Sequence, residues 1–299
     1  MLKKIINKLH KLFLERDLKK RITLQKEIKK IYFENGQIPW SKGYIQHKEE
    51  SIINSISNEL LLSEFSNKRI PEKFGFRLDE RVVEYSWIFS NLKKDNSIFL
   101  DAGSTFNFDY LLDHKLISNK EKYIYTFYPE DKSYNDKKVS YVYGDLRELP
   151  FKNNFFEEIV CQSTIEHIDM DNSMYGYDLK STLDVVSNKS YEYLKVIEEL
   201  LRVLKPNGQL LLTFPYGKFE NHGFFQQFDR EMVGKISEKM TLLGNYDSVF
   251  FKYLPDGWII TDQENCDDSE SFNPHTQIGK KDDFAAHSRA ICCLKFIKS

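Results

Sequence analysis

Ser97-Ile-Phe-Leu-Asp-Ala-Gly-Ser-Thr-Phe-Asn-Phe108 is the stretch from which the fold of this chain is read. An apolar run, Ile98 to Leu100, ends in the acid Asp101, and Gly103 follows two residues later. Such a run predicts a buried parallel strand, and Phe108 to Leu116 predicts the helix after it. Between them the chain must turn tightly. Gly103 lets the backbone come close to a ligand there, and Asp101 supplies a fixed acceptor. Strand, turn and helix of this kind open a nucleotide-binding α/β domain. The turn departs from a dinucleotide fingerprint, because Thr105 and Asn107 stand where further glycines are expected.

The residues that follow extend the pattern. Lys122 to Tyr128 predicts a second strand, closed by Pro129-Glu130-Asp131. An acid at the end of this strand suits ribose hydroxyls, since a carboxylate accepts from both. Here it comes late, after Pro129, which makes Glu130 a displaced candidate. Val139 to Asp145 predicts a third strand ending in Gly144-Asp145, and Ile159 to Gln162 a fourth. Ser163-Thr-Ile-Glu-His-Ile168 lies just past the fourth strand, at the carboxyl end where open α/β sheets place their ligands. Val196, Ile197, Leu200, Leu201 and Leu204 share one face of a helix predicted over Ser190 to Leu204. Lys205-Pro-Asn-Gly208 stops it, and Gln209 to Phe214 is the fifth strand.

Composition bounds the class. With 299 residues, 41% apolar and 29% charged, the chain has the make-up of a globular protein with a substantial core. Its net charge of −2 argues against a general nucleic-acid binder. Cys161, Cys266, Cys292 and Cys293 form no CxxC pair and show no zinc-type spacing with histidine. They are expected to be reduced, mostly buried thiols of a cytoplasmic protein. No apolar run approaches the roughly 20 residues that span a bilayer.

The prefix has a different character. Met1 to Lys30 carries eleven Lys or Arg against three acids, with Leu2, Ile5, Ile6, Leu9, Leu12 and Phe13 at helical spacing. This segment reads either as a terminal helix packed on the domain or as a basic amphipathic helix. In the second case it would meet a protein partner or the inner face of a membrane, peripherally. Helical periodicity returns over Ile45 to Leu62 and over Asp79 to Asn91. Trp40, Tyr44 and Phe74 between these segments are candidates for a lid over the pocket or for ordinary packing.

Three runs taken together, Gly144-Asp-Leu-Arg-Glu-Leu-Pro-Phe151, Cys161-Gln-Ser-Thr-Ile-Glu-His-Ile168 and Arg202-Val-Leu-Lys-Pro-Asn-Gly-Gln-Leu-Leu-Leu-Thr-Phe-Pro215, resemble the class I S-adenosylmethionine-dependent methyltransferases, in particular their type 11 group. The resemblance covers about residues 95 to 217, in order and at the right spacing. It implies a Rossmann-like α/β fold: a seven-stranded, mostly parallel sheet with helices on both faces. Its last strand, over Arg289 to Phe296, would be antiparallel. A helical extension over residues 1–80 would precede the methyltransferase domain over 81–299. The resemblance further implies S-adenosylmethionine as cofactor, with Asp101, Gly103 and Ser104 at its methionine end. Glu130 would then approach the ribose, Asp145 and Leu146 would flank the adenine, and Ser163 would sit near the transferable methyl.

A more local likeness, in Asp101 to Asn107, Thr126 to Glu130 and Phe225-Gln-Gln-Phe-Asp229, is to members found in bacterial surface-polysaccharide clusters. It implies O-methylation of a sugar or glycan precursor.

An activated sulfonium leaves positioning as the main task of the protein, and an oxygen nucleophile adds the need for a base. Glu166 and His167, after the fourth strand, are candidates, as is His222 in the loop after the fifth. Glu264 and Asp267, with His275 nearby, form a polar stretch without tight ligand spacing, and no metal is assigned. Gln226, Gln227 and Asp229 suit either a polyhydroxylated acceptor or the cap of a helix starting near Asp229.

Three functional classes follow. The leading one is a methyltransferase acting on a small molecule or glycan, with no nucleic-acid partner: outside residues 1–30 there is no basic aromatic groove, and no Asn-Pro-Pro-Tyr motif follows the fourth strand. The second is a non-catalytic scaffold of the same fold in a membrane-associated assembly. The third is a dehydrogenase, which the glycine loop and the later motifs fit worst.

Overall fold

The computed structural model of the 299-residue chain describes residue 20, residues 23–173 and residues 188–299. The expected basic helix over residues 1–30 therefore lies mostly outside the described residues. Its last part belongs to helix α1, which runs over residues 23–34. Helix α2 (Tyr44–Ser57) and helix α3 (Glu59–Ser66) replace the single helix expected over Ile45 to Leu62. The break has a local cause: Asn58 is extended, and its side chain accepts from the N–H groups of Leu60 and Leu61. An asparagine that satisfies two orphan donors starts a new helix rather than continuing the old one. Helix α4 (Arg81–Asn91) matches its expected span closely.

Strand β1 (Ile98–Ala102) opens the sheet as expected, but the helix after it, α5 (Asp109–Leu112), is a single turn. Strands β2 (Glu121–Thr126), β3 (Val139–Tyr143) and β4 (Phe156–Gln162) follow. Helix α6 (Tyr193–Val203) buries the predicted stripe of Val196, Ile197, Leu200 and Leu201. It runs directly into β5 (Leu204–Pro215). Within β5 the Pro/Gly stop becomes an irregularity in the ladder, because Phe156 pairs with Leu204 while Glu158 pairs with Gln209. A small ribbon, β6 (Glu220–Asn221) with β7 (Gln226–Gln227), precedes helix α7 (Arg230–Thr241). Strands β8 (Gly244–Leu254), β9 (Gly257–Thr261) and β10 (Ala290–Lys298) complete the chain.

The main sheet has the order β3-β2-β1-β4-β5-β10-β8-β9. The first five strands are mutually parallel, and β10 runs antiparallel to both β5 and β8. The C-terminal strand is thus antiparallel, as the resemblance implies. The expected count of seven needs correction to eight, because β9 folds back on β8 as a hairpin. Trp258 explains the addition. Its ring is buried, and its indole N–H donates to the Leu78 carbonyl, so β9 is held by the segment before α4.

Two apolar cores lie on the two faces of this sheet. One joins α6 and α7 to the sheet, and the other gathers side chains of α1 to α5 over the opposite face. Tyr44, in the second core, is buried and hydrogen-bonded to Asp79. Phe74 packs edge-on to Phe65, and Trp40 donates to the Ala286 carbonyl. The packing reading therefore holds for all three. All four cysteines are buried and free of disulfides. No helix of the described residues is long and apolar enough to cross a membrane.

Candidate active site

The strand order reverses direction between β1 and β4, and open parallel sheets form their ligand crevice at such a point. A cavity of about 320 Å³ lies there, at the carboxyl ends of β1 to β4. That volume is at the lower end of the range for small-molecule sites.

The turn after β1 forms one wall. Gly103 lies at φ +129°, and a Cβ on it would stand 2.1 Å from Thr164 Oγ1 in the turn after β4. Only glycine allows these two turns to close together. Asp101 is fully buried and faces away from the cavity. It accepts from the backbone N–H groups of Thr105 (3.1 Å) and Phe106 (2.8 Å) and from the Thr105 hydroxyl. Burial pushes its carboxyl up to about 7, against the lowering effect of those donors. Phe106 is buried against Phe89 and Phe99, and Tyr85 donates to the Thr105 carbonyl. The residues standing in place of the missing glycines thus build a rigid loop anchored by hydrogen bonds and an aromatic plug. Ser104 also adopts a positive φ, and its hydroxyl is buried without a hydrogen-bond partner among the described residues.

The second wall carries Glu130 after β2, with Gly144, Asp145, Leu146 and Arg147 after β3. Glu130 Oε2 accepts from Asn107 Nδ2 at 2.7 Å. Asp145 is clasped by Arg147, whose Nε and Nη2 donate to it at 2.6 to 3.1 Å. Burial raises the Asp145 carboxyl, but the Arg147 donors outweigh it and hold the group below its usual range. Tyr125 donates to the Asp145 carbonyl and fixes this turn to β2.

The floor comes from α4 and the turn after β4. Ser163 has φ +40° and donates its hydroxyl to Glu84 Oε1. Glu84 is fully buried and also accepts from Arg81, Gln162 and Thr213. Arg81 reaches the cavity beside Gly103, and the carboxylates of Glu84 and Glu80 raise its already high pKa against the cost of burial. Arg81 and Glu84 were not singled out from sequence. The only signal was a charged pair three residues apart in an otherwise apolar helix.

His167 lines the far end. Its Nδ1 lies 2.7 Å from the Phe224 carbonyl, which can only accept, so Nδ1 carries the proton and Nε2 the lone pair. Burial pulls its pKa down to about 4. The ring is therefore neutral near pH 7. Glu166 points elsewhere. It is buried behind the turn, its Oε2 has no hydrogen-bond partner among the described residues, and burial drives its pKa well above the normal range.

Of the predicted site residues, Gly103, Glu130, Asp145, Leu146, Ser163 and His167 share the cavity, whereas Asp101, Ser104, Glu166 and His222 do not line it. His222 stacks on Phe225 and sits 3.7 Å from Glu220 in the β6–β7 ribbon. Gln226 and Gln227 are fully buried and bonded to the backbone at Ser190, Lys218 and Ser269. Asp229 caps α7 through the Met232 N–H. The capping role therefore belongs to Asp229, and the two glutamines brace the loop. Asp267 pairs with Arg230 and Tyr216.

Comparison with known proteins agrees with this arrangement. Residues 126–212 match the profile of a family described as a methyltransferase domain. No curated protein matches the chain in sequence. Among solved structures, the chain is similar to the 1,6-didemethyltoxoflavin-N1-methyltransferase of Burkholderia thailandensis, at 10% identity and a TM-score of 0.40, over 68% of this chain and 71% of that one. It is also similar to a SAM-dependent methyltransferase of Thermotoga maritima, at 12% identity and a TM-score of 0.41, over 85% and 99%. The N-methyltransferase NodS of Bradyrhizobium japonicum follows at 11% identity and a TM-score of 0.41, over 73% and 96%. The strand order and the profile match define the chain's fold as that of a class I methyltransferase, with one added edge strand.

Proposed function

We propose that this protein is an S-adenosylmethionine-dependent methyltransferase that O-methylates a sugar or glycan precursor. The observation that carries the reading is the convergence of Gly103, Glu130, Asp145 and His167 on one cavity at the switch point of the sheet. The residues present suit the cofactor. Arg81 offers a guanidinium to its carboxylate beside the close-packed Gly103 turn. Glu130 offers an acceptor to the ribose, and the turn at Asp145 and Leu146 offers a carboxylate and an apolar side chain to the adenine.

S-adenosylmethionine supplies a methyl group already activated on a sulfonium, which leaves as a neutral thioether. The protein's part is to align the acceptor and take its proton. His167 is fitted for the second task. A neutral imidazole with Nδ1 fixed on the Phe224 carbonyl presents Nε2 as a base. As the acceptor oxygen bonds to the methyl carbon, its hydroxyl proton passes to Nε2, and the new imidazolium discharges to water. Asp169 and Asn172, which also line this end, offer hydrogen-bonding groups to a polyhydroxylated acceptor.

Calorimetric titration with S-adenosylmethionine and S-adenosylhomocysteine tests the first half of the proposal. Micromolar binding that weakens at least about tenfold in Asp145→Ala is expected. Absence of binding at millimolar cofactor would sink it. Nucleotide sugars and glycan fragments, screened for formation of S-adenosylhomocysteine, test the second half.

A further inference from the structure

Two features set this chain apart from a regular cofactor loop: an asparagine in place of a late glycine, and an acid displaced beyond Pro129. The structure joins them. Asn107 is 4% exposed, and its Nδ2 donates to Glu130 Oε2 at 2.7 Å and to the Lys132 carbonyl at 3.1 Å. Its Oδ1 accepts from the Tyr141 hydroxyl at 2.9 Å, and that hydroxyl accepts in turn from the Tyr134 N–H. A phenol that gives its only proton to Oδ1 sets the orientation of the amide, so both Nδ2 hydrogens face the segment after β2.

We propose that Asn107 is a positioning residue for the cofactor's ribose. It recovers a carboxylate that the sequence has shifted out of place and holds Glu130 at the mouth of the cavity. Glu130 is an exposed side chain on a loop, and unrestrained it would lose rotamer freedom on binding a ligand. One oxygen held by a buried amide leaves the other, Oε1, without a hydrogen-bond partner among the described residues and available to the vicinal hydroxyls. A glycine at 107 could not do this. The depleted glycine pattern and the late acid are therefore one device, with Tyr141 behind it as the brace.

The proposal rests on the cofactor reading above, and its test separates the two. S-adenosylhomocysteine and its 2′,3′-dideoxy analogue are titrated into the wild type, Asn107→Ala, Glu130→Ala and the double variant, and the thermal unfolding of each ligand-free protein is recorded. Each single variant is expected to bind S-adenosylhomocysteine about tenfold more weakly. The double variant should be no weaker than the worse single, since the pair acts as a unit. The dideoxy analogue should bind all four proteins alike. Tyr141→Phe should give a smaller loss with the same selectivity. Equal losses for both ligands, or additive losses in the double variant, would overturn the positioning role and leave Asn107 a structural loop residue. Failure of the wild type to bind either ligand overturns the cofactor reading and this proposal with it.

Discussion

Ser163 donates its hydroxyl to Glu84 Oε1 across 2.5 Å, and Thr213 reaches the same oxygen at 2.6 Å. One buried carboxylate of α4 thereby ties together the ends of β4 and β5, and its other oxygen holds Arg81 at the cavity. Glu84→Ala leaves Arg81, Ser163 and Thr213 without their shared partner. A loss of about 3–5 kcal/mol is expected, the cost of breaking a buried ion pair from one side. Denaturant unfolding measures it, and a change under 1 kcal/mol would refute the central role of this residue.

Gly103→Ala meets both an unfavourable φ and Thr164 Oγ1 at 2.1 Å. The two turns must separate to admit the methyl group. Destabilisation of at least about 2 kcal/mol is expected, together with loss of cofactor binding. Wild-type affinity in a stable Gly103→Ala protein would show that the turns need not touch.

Burial pulls His167 down to about 4 from its usual 6.5. The unfolded chain therefore binds the proton more readily between these values. The contribution to stability is complete above about pH 6.5 and is lost as the pH falls toward 4. An NMR titration should find the imidazole neutral throughout the neutral range. Methyl transfer should stay flat down to about pH 5, and His167→Ala should lower the rate about a hundredfold or more while cofactor affinity is kept. A parallel loss of affinity would place His167 in the cofactor site instead.

The His287–Glu80 pair, 3.1 Å apart, behaves with the opposite sign on its histidine side. Burial lowers the imidazole pKa, but Glu80 more than offsets it and the net shift is upward. Burial also opposes ionisation of Glu80, yet His287 draws its carboxyl down to about 2. The histidine contributes fully below pH 6.5 and loses its contribution as the pH rises through its raised value. The glutamate contributes fully above pH 4.5 and loses its contribution as the pH falls toward 2. His287→Ala should therefore cost more stability at pH 6 than at pH 9, about 3 kcal/mol at the lower pH. Equal costs at both would remove the ion pair from the account.

Cys161, Cys292 and Cys293 are buried thiols whose surroundings raise their pKa, and burial pushes Cys266 up to about 11. Thiolate is scarce at neutral pH in all four. A maleimide should label none of them in the native protein and all of them after denaturation. Rapid native labelling at any one would contradict the packing described here.

Much of this architecture is local in origin and was legible in the chain. The stripe on α6 and the apolar runs of β1, β4 and β5 announce their own burial, because periodicity follows directly from side-chain geometry. Gly103, Asp145 and His167 were recognisable because turns at strand ends are short and their chemistry is carried by adjacent residues. The β9 hairpin was missed, since what stabilises it is the distant carbonyl of Leu78. The split between α2 and α3 depended on one asparagine side chain.

The sequence by itself determined the order of strands and helices and the turns that face the ligand, all of which arise from contacts within a few residues. Only the tertiary structure decided which of those turn residues share the cavity. It turned Asp101 and Glu166 inward, made Gln226 and Gln227 braces, and brought in Arg81 and Glu84 from a helix that sequence reading treated as packing. It also paired Asn107 with Glu130 across 23 positions. A hydrogen bond between distant residues leaves no periodic trace in a chain, and burial is defined only once the layers have closed.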